Sequence, residues 1–257
     1  MQNLYGLAQT GKLPYSNFEW LPDYHVANFK PLKIDTDGSY GYILEVDMSY
    51  PENLHRSHDN YPLAPETNLI VYDNLSEYSK KALDLCGDTK NYKSAKLTAT
   101  FFDREKYVVH IKNLQLYLNL GMQLKKIHRI LKFKQKKFLE PFISMCTEER
   151  KKANSLFEKN QFKKVANSCY GKTIQNIRDY ISVKIHLDKK SFLKATSSPT
   201  YKSHVIIDEA CVITSHKNND ILHDKPYAIG FTILEYVSKS HIFLFYKKSI
   251  FYITNFS

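Results

Sequence analysis

The segment from Phe162 to Lys172, which reads FKKVANSCYGK, constrains the fold of this chain more than any other stretch. Read as a helix, it divides into two faces, because residues three and four apart share one side of a helix. The apolar face is formed by Phe162, Val165, Ala166 and Cys169. The polar face is formed by Lys163, Asn167 and Tyr170. Gly171 follows them, at a place where helix ends often use a left-handed residue.

The polar face of this helix is suited to a nucleotide. Lys163 offers a mobile point charge to phosphate oxygens. The amide of Asn167 and the phenol of Tyr170 follow in the same row, where they would lie beside a base pair. The alternative interpretation of these residues alone is an ordinary amphipathic basic helix with a glycine cap.

The positive charge of the chain is concentrated in one segment. The 257 residues carry a formal net charge of +11 and are 43% hydrophobic, which is enough for a real core. Residues 122–172 hold 14 Lys or Arg and 4 Glu, which is nearly the whole surplus. A basic segment of this kind predicts a polyanionic partner, with a solvated helix surface or a membrane face as alternatives. No apolar run reaches the ~18 residues of a membrane helix.

A strand is predicted from Tyr40 to Met48, because Tyr42, Leu44 and Val46 alternate with Ile43, Glu45 and Asp47. Asp47 lies at the end of this strand, shortly before Pro51. A rigid strand fixes the oxygens of a terminal carboxylate, which places Asp47 well for holding a cation. A plain strand-terminating aspartate is the alternative.

Three further segments are predicted to be helical. Leu114 to Leu139 is predicted to be helical, because its apolar residues recur at steps of four, three and four, and Pro141 ends it. A second helix is predicted to begin near Thr147 and to continue towards Tyr170. Tyr227 to Ser240 is predicted to form a third helix.

Strand patterning returns after Gly171. Residues 181–187 alternate, and His204 to Ser215 contains another apolar strand that carries Asp208 and Glu209. Adjacent strand residues point to opposite faces, so this acidic pair is not expected to share a metal. Asp103 and Arg104 fit a hairpin turn between two further β-rich segments. His55 and His58 are assigned to a polar loop rather than to a metal site, because no third ligand is near them in sequence.

Two of these motifs resemble those of family B DNA polymerases. Lys163, three residues, then Asn167-Ser168-Cys169-Tyr170-Gly171 is similar to the family pattern Lys-x-x-x-Asn-Ser-x-Tyr-Gly. Asp47-Met48-Ser49-Tyr50-Pro51 resembles the first catalytic motif, Asp-x-x-Ser-Leu-Tyr-Pro, with two residues fewer. The short version resembles the protein-primed branch carried by mobile elements and linear plasmids.

The resemblance implies roles for these residues. Asp47 would bind two catalytic Mg²⁺ ions and the Met48 carbonyl one of them, while Tyr50 would pack against the sugar of the incoming nucleotide. Lys163 and Arg150 would bind its triphosphate, although Lys151 and Lys152 could serve in place of Arg150. Asn167 would also lie at the nucleotide, and Tyr170 and Gly171 at the DNA. Primer–template DNA, a deoxynucleoside triphosphate and a terminal protein primer are the implied partners.

The implied fold is α+β, with an antiparallel palm sheet, its helices and a set of helical fingers. The expected divisions are an N-terminal palm part at 1–112, basic fingers at 113–178 and a return to an incomplete palm at 179–257. The family's second catalytic motif, Asp-Thr-Asp, is not found, because no Asp or Glu follows Glu235. The implied enzyme is a DNA-directed DNA polymerase, and this chain alone is expected to be inactive.

Two other hypotheses stay open. The chain would be a catalytically dead nucleic-acid-binding remnant of such a polymerase, whose affinity for DNA falls steeply with salt. The other hypothesis is that the chain is a decayed reading frame that makes no stable protein. An intracellular location is expected, without a compartment. The four cysteines are far apart in sequence, which favours free thiols over a disulfide framework or a zinc site.

Overall fold

The computed structural model describes residues 4–87, 92–178 and 180–254, with side chains as far as residue 246. Its α-helices are α1 (Leu4–Gln9), α2 (Asp23–Ala27), α3 (His55–His58), α4 (Glu77–Leu85), α5 (Ile111–Asn119), α6 (Glu140–Lys152), α7 (Leu156–Thr173), α8 (Lys189–Thr196) and α9 (Tyr227–Thr254). Its strands are β1 (Leu13–Trp20), β2 (Tyr40–Ser49), β3 (Glu66–Val71), β4 (Lys93–Thr98), β5 (Arg104–His110), β6 (Gln123–Lys136), β7 (Ile181–His186), β8 (Tyr201–Asp208) and β9 (Cys211–Lys217). Among the described helices, none has both the length and the apolar character needed to cross a bilayer.

The main sheet is antiparallel and has the strand order β1-β6-β2-β5. The predicted strand β2 is confirmed, and it pairs with β6 on one side and β5 on the other. Its alternate residues Leu44, Val46 and Met48 are at most 1% exposed. They pack with α5 in the largest core cluster, so one face of this strand is fixed by burial.

The predicted helix from Leu114 to Leu139 is wrong beyond its first residues. Helix α5 ends at Asn119, Gly121 takes a positive φ of +103°, and the chain then runs as strand β6 along the whole length of β2. The i, i+3, i+4 spacing of leucines was ambiguous, because Lys132, Lys134 and Lys136 repeat with the period of a strand. Pairing with β2 decides in favour of the strand over the helix. In the region 113–178, the described helices after α5 are α6 and α7.

The second predicted helix is two helices. Pro141 does not end a helix but lies in the first turn of α6, where its missing N–H costs nothing. The chain breaks after Lys152, and α7 starts with a capping box between Ser155 and Glu158. Helix α7 continues to Thr173, so the expectation that Gly171 ends it in a left-handed conformation is wrong.

The described chain also forms two smaller antiparallel sheets. β3 pairs with β4, so the predicted hairpin through Asp103 is wrong, since β5 pairs with β2 instead. The second sheet has the order β7-β9-β8 and confirms the strand predicted at 181–187. The single strand predicted from His204 to Ser215 is a hairpin, in which Asp208 accepts a hydrogen bond from the Ala210 N–H at 2.8 Å. This turn role accounts for Asp208 without a metal.

Helices α1 and α9 connect the main sheet to the α6–α7 pair. The predicted helix from Tyr227 is confirmed, and its Ile233, Tyr236 and Val237 form a core cluster with Ala8 and Leu13. Close approach to α7 requires Gly230, because a Cβ there would lie 2.0 Å from the Ile174 side chain. The start of α9 is therefore held directly against the end of α7.

Candidate nucleotide and nucleic-acid binding site

A cavity of about 570 Å³ lies between α1, α6 and α7. Its cationic lining consists of Arg150, Lys151, Lys159 and Lys163, and Glu148 is its one carboxylate. Its apolar lining includes Leu7, Ile143, Cys146, Phe162 and Ala166. Arg150 and Lys163, the two phosphate ligands predicted from sequence, are thus brought to one cavity.

Packing of the two helices places these cations. Ala166 of α7 packs against Ile143 and Cys146 of α6, and all three are buried. The small Ala166 lets the helices approach, and it sets the adjacent Lys163 and the last turn of α6 on the same cavity. Val165 of the predicted apolar stripe is instead 44% exposed, so the buried side of α7 is narrower than its sequence indicates.

The cavity cations are not neutralised by neighbouring acids. Within the described chain, no carboxylate lies within 4 Å of Arg150, Lys151, Lys159 or Lys163. Lys152, in contrast, contacts Glu149 at 2.8 Å. Lys152 is therefore the weakest of the three alternatives at the end of α6, while Arg150 and Lys151 both line the cavity. Lys159, which the sequence analysis missed, precedes Lys163 by one helical turn, and that spacing was the available signal.

The predicted row of Lys163, Asn167 and Tyr170 is divided by the structure. Lys163 and Asn167 line a second, smaller groove of about 310 Å³ on α7. Tyr170 instead packs against Tyr5 of α1, with ring centroids 4.6 Å apart, and burial raises the pKa of its hydroxyl. Gly171 is exposed, and a Cβ at this position would meet no described atom within 4 Å.

Helix α1 is tied to α7 beside this cavity. The side chain of Gln9 is fully buried, and its Nε2 donates to the Ala166 carbonyl at 3.2 Å. With the contact between Tyr5 and Tyr170, this bond fixes the wall that α1 gives to the cavity. The sequence offered no signal for it, because the contact joins residues 157 positions apart.

Asp47 lies at the open end of the main sheet, with its side chain 26% exposed. Its Oδ1 accepts a hydrogen bond from the Lys106 N–H at 2.7 Å, and this bond is the main cause that lowers its pKa. His128 Nε2 lies 2.8 Å from the same oxygen. Neither neighbour was identified from sequence, because both depend on strand pairing.

The residues around Asp47 on this face form a second charged group. Glu45 Oε2 contacts Arg129 Nε at 2.5 Å, and the Arg129 guanidinium lies 5.3 Å from the centre of the Trp20 ring. Trp20 is 60% exposed. The open face beside Asp47 thus presents an aromatic ring and a cation next to two carboxylates.

Tyr50 is placed in the core and not on the open face. It is 4% exposed, its hydroxyl lies 2.7 Å from His58 Nδ1, and it accepts a bond from the Leu63 N–H. Met48 is buried on β2, opposite Leu124 of β6. The structure therefore does not bring Tyr50 together with Asp47, and its predicted contact with a sugar stays a prediction.

The described residues do not fit a site for two Mg²⁺ ions. None of their His, Cys, Asp and Glu side chains form a group of three that could hold a metal ion. Glu235, the last acidic residue of the sequence, accepts a bond from the His110 N–H at 2.8 Å. His110 pairs with Ile43, four residues from Asp47 along β2, so Glu235 does not complete a site with Asp47.

Comparisons with known proteins give one structural similarity. No protein-family model matches the chain, and no curated protein sequence matches it. A solved structure of Phi29 DNA polymerase, in an orthorhombic crystal form, matches with a TM-score of 0.47 and 14% sequence identity. The match covers 91% of this chain and 32% of that polymerase, so the chain spans about a third of its length.

Proposed function

We propose that this chain is part of a DNA-directed DNA polymerase and that it binds a deoxynucleoside triphosphate and primer–template DNA. The observation that carries the proposal is the position of Arg150 and Lys163. The motif names Lys163 as a phosphate ligand, and the resemblance makes Arg150 a candidate for a second one. Both line the cavity between α6 and α7, with no acid of the described chain within 4 Å. A terminal protein primer belongs to the same proposal through the resemblance of the motif around Asp47.

The cationic side chains of the cavity would bind a triphosphate in different ways. The Arg150 guanidinium is a planar fork that can bind two oxygens of one phosphate, while Lys163 is a mobile charge. Lys151 and Lys159 add positive charge at the same cavity. Asn167 lines the smaller groove together with Lys163, and the resemblance assigns its amide to the nucleotide.

We assign no chemical step to this chain. The reaction of the proposed enzyme is attack of a primer hydroxyl on the α-phosphate of the nucleotide, with release of pyrophosphate. The resemblance implies that this step uses two metal ions, and none of the described His, Cys, Asp and Glu side chains form a group of three that could hold a metal ion. The role proposed here is therefore binding and orientation of nucleotide and DNA.

A non-catalytic nucleic-acid-binding module is the second candidate. The observation that favours it is the state of Asp47, which is already engaged by the Lys106 N–H and by His128. Such a module would need only the basic surface, and its affinity for DNA would not depend on Asp47.

Binding of a fluorescent deoxynucleoside triphosphate to the Lys163→Ala variant separates the two candidates. We expect the affinity to fall by roughly 10-fold to 100-fold, because a charge-assisted hydrogen bond contributes about 1.5–3 kcal/mol. Affinity for a primer–template should change by less than about threefold, which is about 0.7 kcal/mol. Lys172→Ala is the matched control, since Lys172 lies on the same helix, contacts Gln175 and lines neither cavity. Equal nucleotide affinity in the two variants would refute the nucleotide site and leave the second candidate.

A further inference from the structure

A second cationic cleft lies on the other side of α1. It has a volume of about 200 Å³ and is lined by residues of α1, α5 and α9, among them Leu7, Lys112, Tyr236, Lys239 and Ser240. None of the cations discussed above lines it. Leu7 lines both this cleft and the cavity of Arg150 and Lys163, so the two sites adjoin across α1.

The cleft has more positive charge than its acids balance. The Lys112 side chain is 15% exposed, and its Nζ lies 3.0 Å from an oxygen of Asp37, which is itself 82% exposed. Lys239 is half-buried, and no carboxylate of the described chain lies within 4 Å of it. Lys12, which does not line the cleft, donates to the carbonyls of Asp37 and Gly38.

The nearest acid on α9 does not serve Lys239. Glu235 precedes Lys239 by four residues, which is one helical turn, but its carboxylate accepts from the His110 N–H at 2.8 Å. Burial, and secondly the charge of Lys112, lower the pKa of Lys239, while the charge of Asp37 opposes them. Two ammonium groups are therefore held near each other in a partly desolvated cleft, an arrangement that an anion between them would stabilise.

We propose that Lys112 and Lys239 bind a phosphate group in this cleft. The Ser240 hydroxyl lies in the lining as a further polar group, and the Tyr236 ring, 5.1 Å from Lys112 Nζ, forms an apolar wall. The cleft adjoins the α6–α7 cavity through Leu7, and the backbone of a nucleic-acid strand that passes beside α1 would place a phosphate in the cleft. Free inorganic phosphate has the same chemistry and is the other source. The site involves neither Arg150 nor Lys163, so it does not depend on the proposed nucleotide site.

Salt-dependent binding of a single-stranded DNA to the full chain tests the proposal. In Lys239→Gln we expect the slope of log K against log salt to become smaller by about 0.7, because one phosphate contact is lost. Lys239→Arg keeps the charge and should keep the slope. Lys81→Gln is the matched control, since it removes the same charge from the exposed side of α4. Nucleotide affinity of Lys239→Gln should stay unchanged, which separates this site from that of Lys163.

A second measurement identifies the source of the phosphate. Inorganic phosphate at constant ionic strength should raise the Tm of the wild-type chain and of Lys81→Gln, and should not raise the Tm of Lys239→Gln. If Lys239→Gln has both a smaller salt slope of DNA binding and no rise of Tm with phosphate, the ligand is a nucleic-acid backbone. If only the rise of Tm with phosphate is lost, the ligand is free phosphate. If Lys239→Gln matches Lys81→Gln in both measurements, the proposal is overturned.

Discussion

The carboxyl group of Glu235 gives the sharpest test of the core described above. Burial is the main cause that raises its pKa from 4.5 to about 7, against the opposing hydrogen bonds from the His110 N–H and from Asn113. Each unit of pKa corresponds to 1.36 kcal/mol, so ionising Glu235 in the folded protein costs about 3 kcal/mol relative to the unfolded chain. The folded state keeps this proton while the unfolded state releases it, and stability therefore falls as the pH rises from about 4.5 to about 7.

Glu235→Gln should remove this cost. The amide oxygen can still accept from the His110 N–H, and the new N–H is offered to Asn113 Oδ1, which is buried without a described partner. We expect the variant to be more stable than wild type by up to about 3 kcal/mol at pH 8, and by less than about 1 kcal/mol at pH 5. Glu105→Gln, on the exposed side of β5, should show no such dependence.

The assay is urea unfolding followed by circular dichroism at pH 5, 6, 7 and 8. Burial lowers the pKa of His110 to about 3, so the contribution of His110 to stability rises with pH up to about 6.5 and opposes that of Glu235. His110 is present in both proteins, and the difference between them isolates Glu235. A difference that is independent of pH, or a variant less stable than wild type at pH 8, would refute the reasoning.

Two further substitutions test how the chain beside Asp47 is held. Arg104 is 1% exposed and donates hydrogen bonds to the carbonyls of Ala64, Phe102 and Thr100. Arg104→Met should therefore lower the free energy of unfolding by about 3–5 kcal/mol in urea titrations. An unchanged urea midpoint would contradict this role of the three hydrogen bonds. Tyr50→Phe removes the hydroxyl that contacts His58 and Leu63 and should cost about 1–2 kcal/mol, with nucleotide affinity unchanged; a loss of affinity without a loss of stability would instead place Tyr50 at the nucleotide.

Local sequence patterns were sufficient to predict strand β2, in which alternate residues are buried. The alternation in β2 was visible in sequence, because its alternate residues are buried in a core, and the helix from Tyr227 was also predicted. Strand β6 was missed since its leucine spacing fits a helix, and only pairing with β2 resolves it. Within the candidate site, the motif indicated Lys163 and the resemblance made Arg150 a candidate, but their common cavity depends on the break at residues 153–155.

Contacts between residues that are distant in sequence account for the features that could not be predicted. The partners of Asp47, the burial of Tyr50 and the cleft of Lys112 and Lys239 all come from strand register or from the packing of α1 and α9. No local period encodes such contacts. Asp208 is a different case, because its hydrogen bond in a hairpin turn accounts for it without a site.

The attachment of α1 has a mechanical consequence. This six-residue helix bonds to the α7 backbone through Gln9 and stacks Tyr5 on Tyr170, while Ala8 packs against α9. Helix α1 therefore connects the α6–α7 pair to α9 and the main sheet. Any swing of α6 and α7 away from the sheet must therefore break the buried Gln9 bond or carry α1 along with it. Because Leu7 on α1 borders both cationic cavities, such a swing would change the shape of both at once.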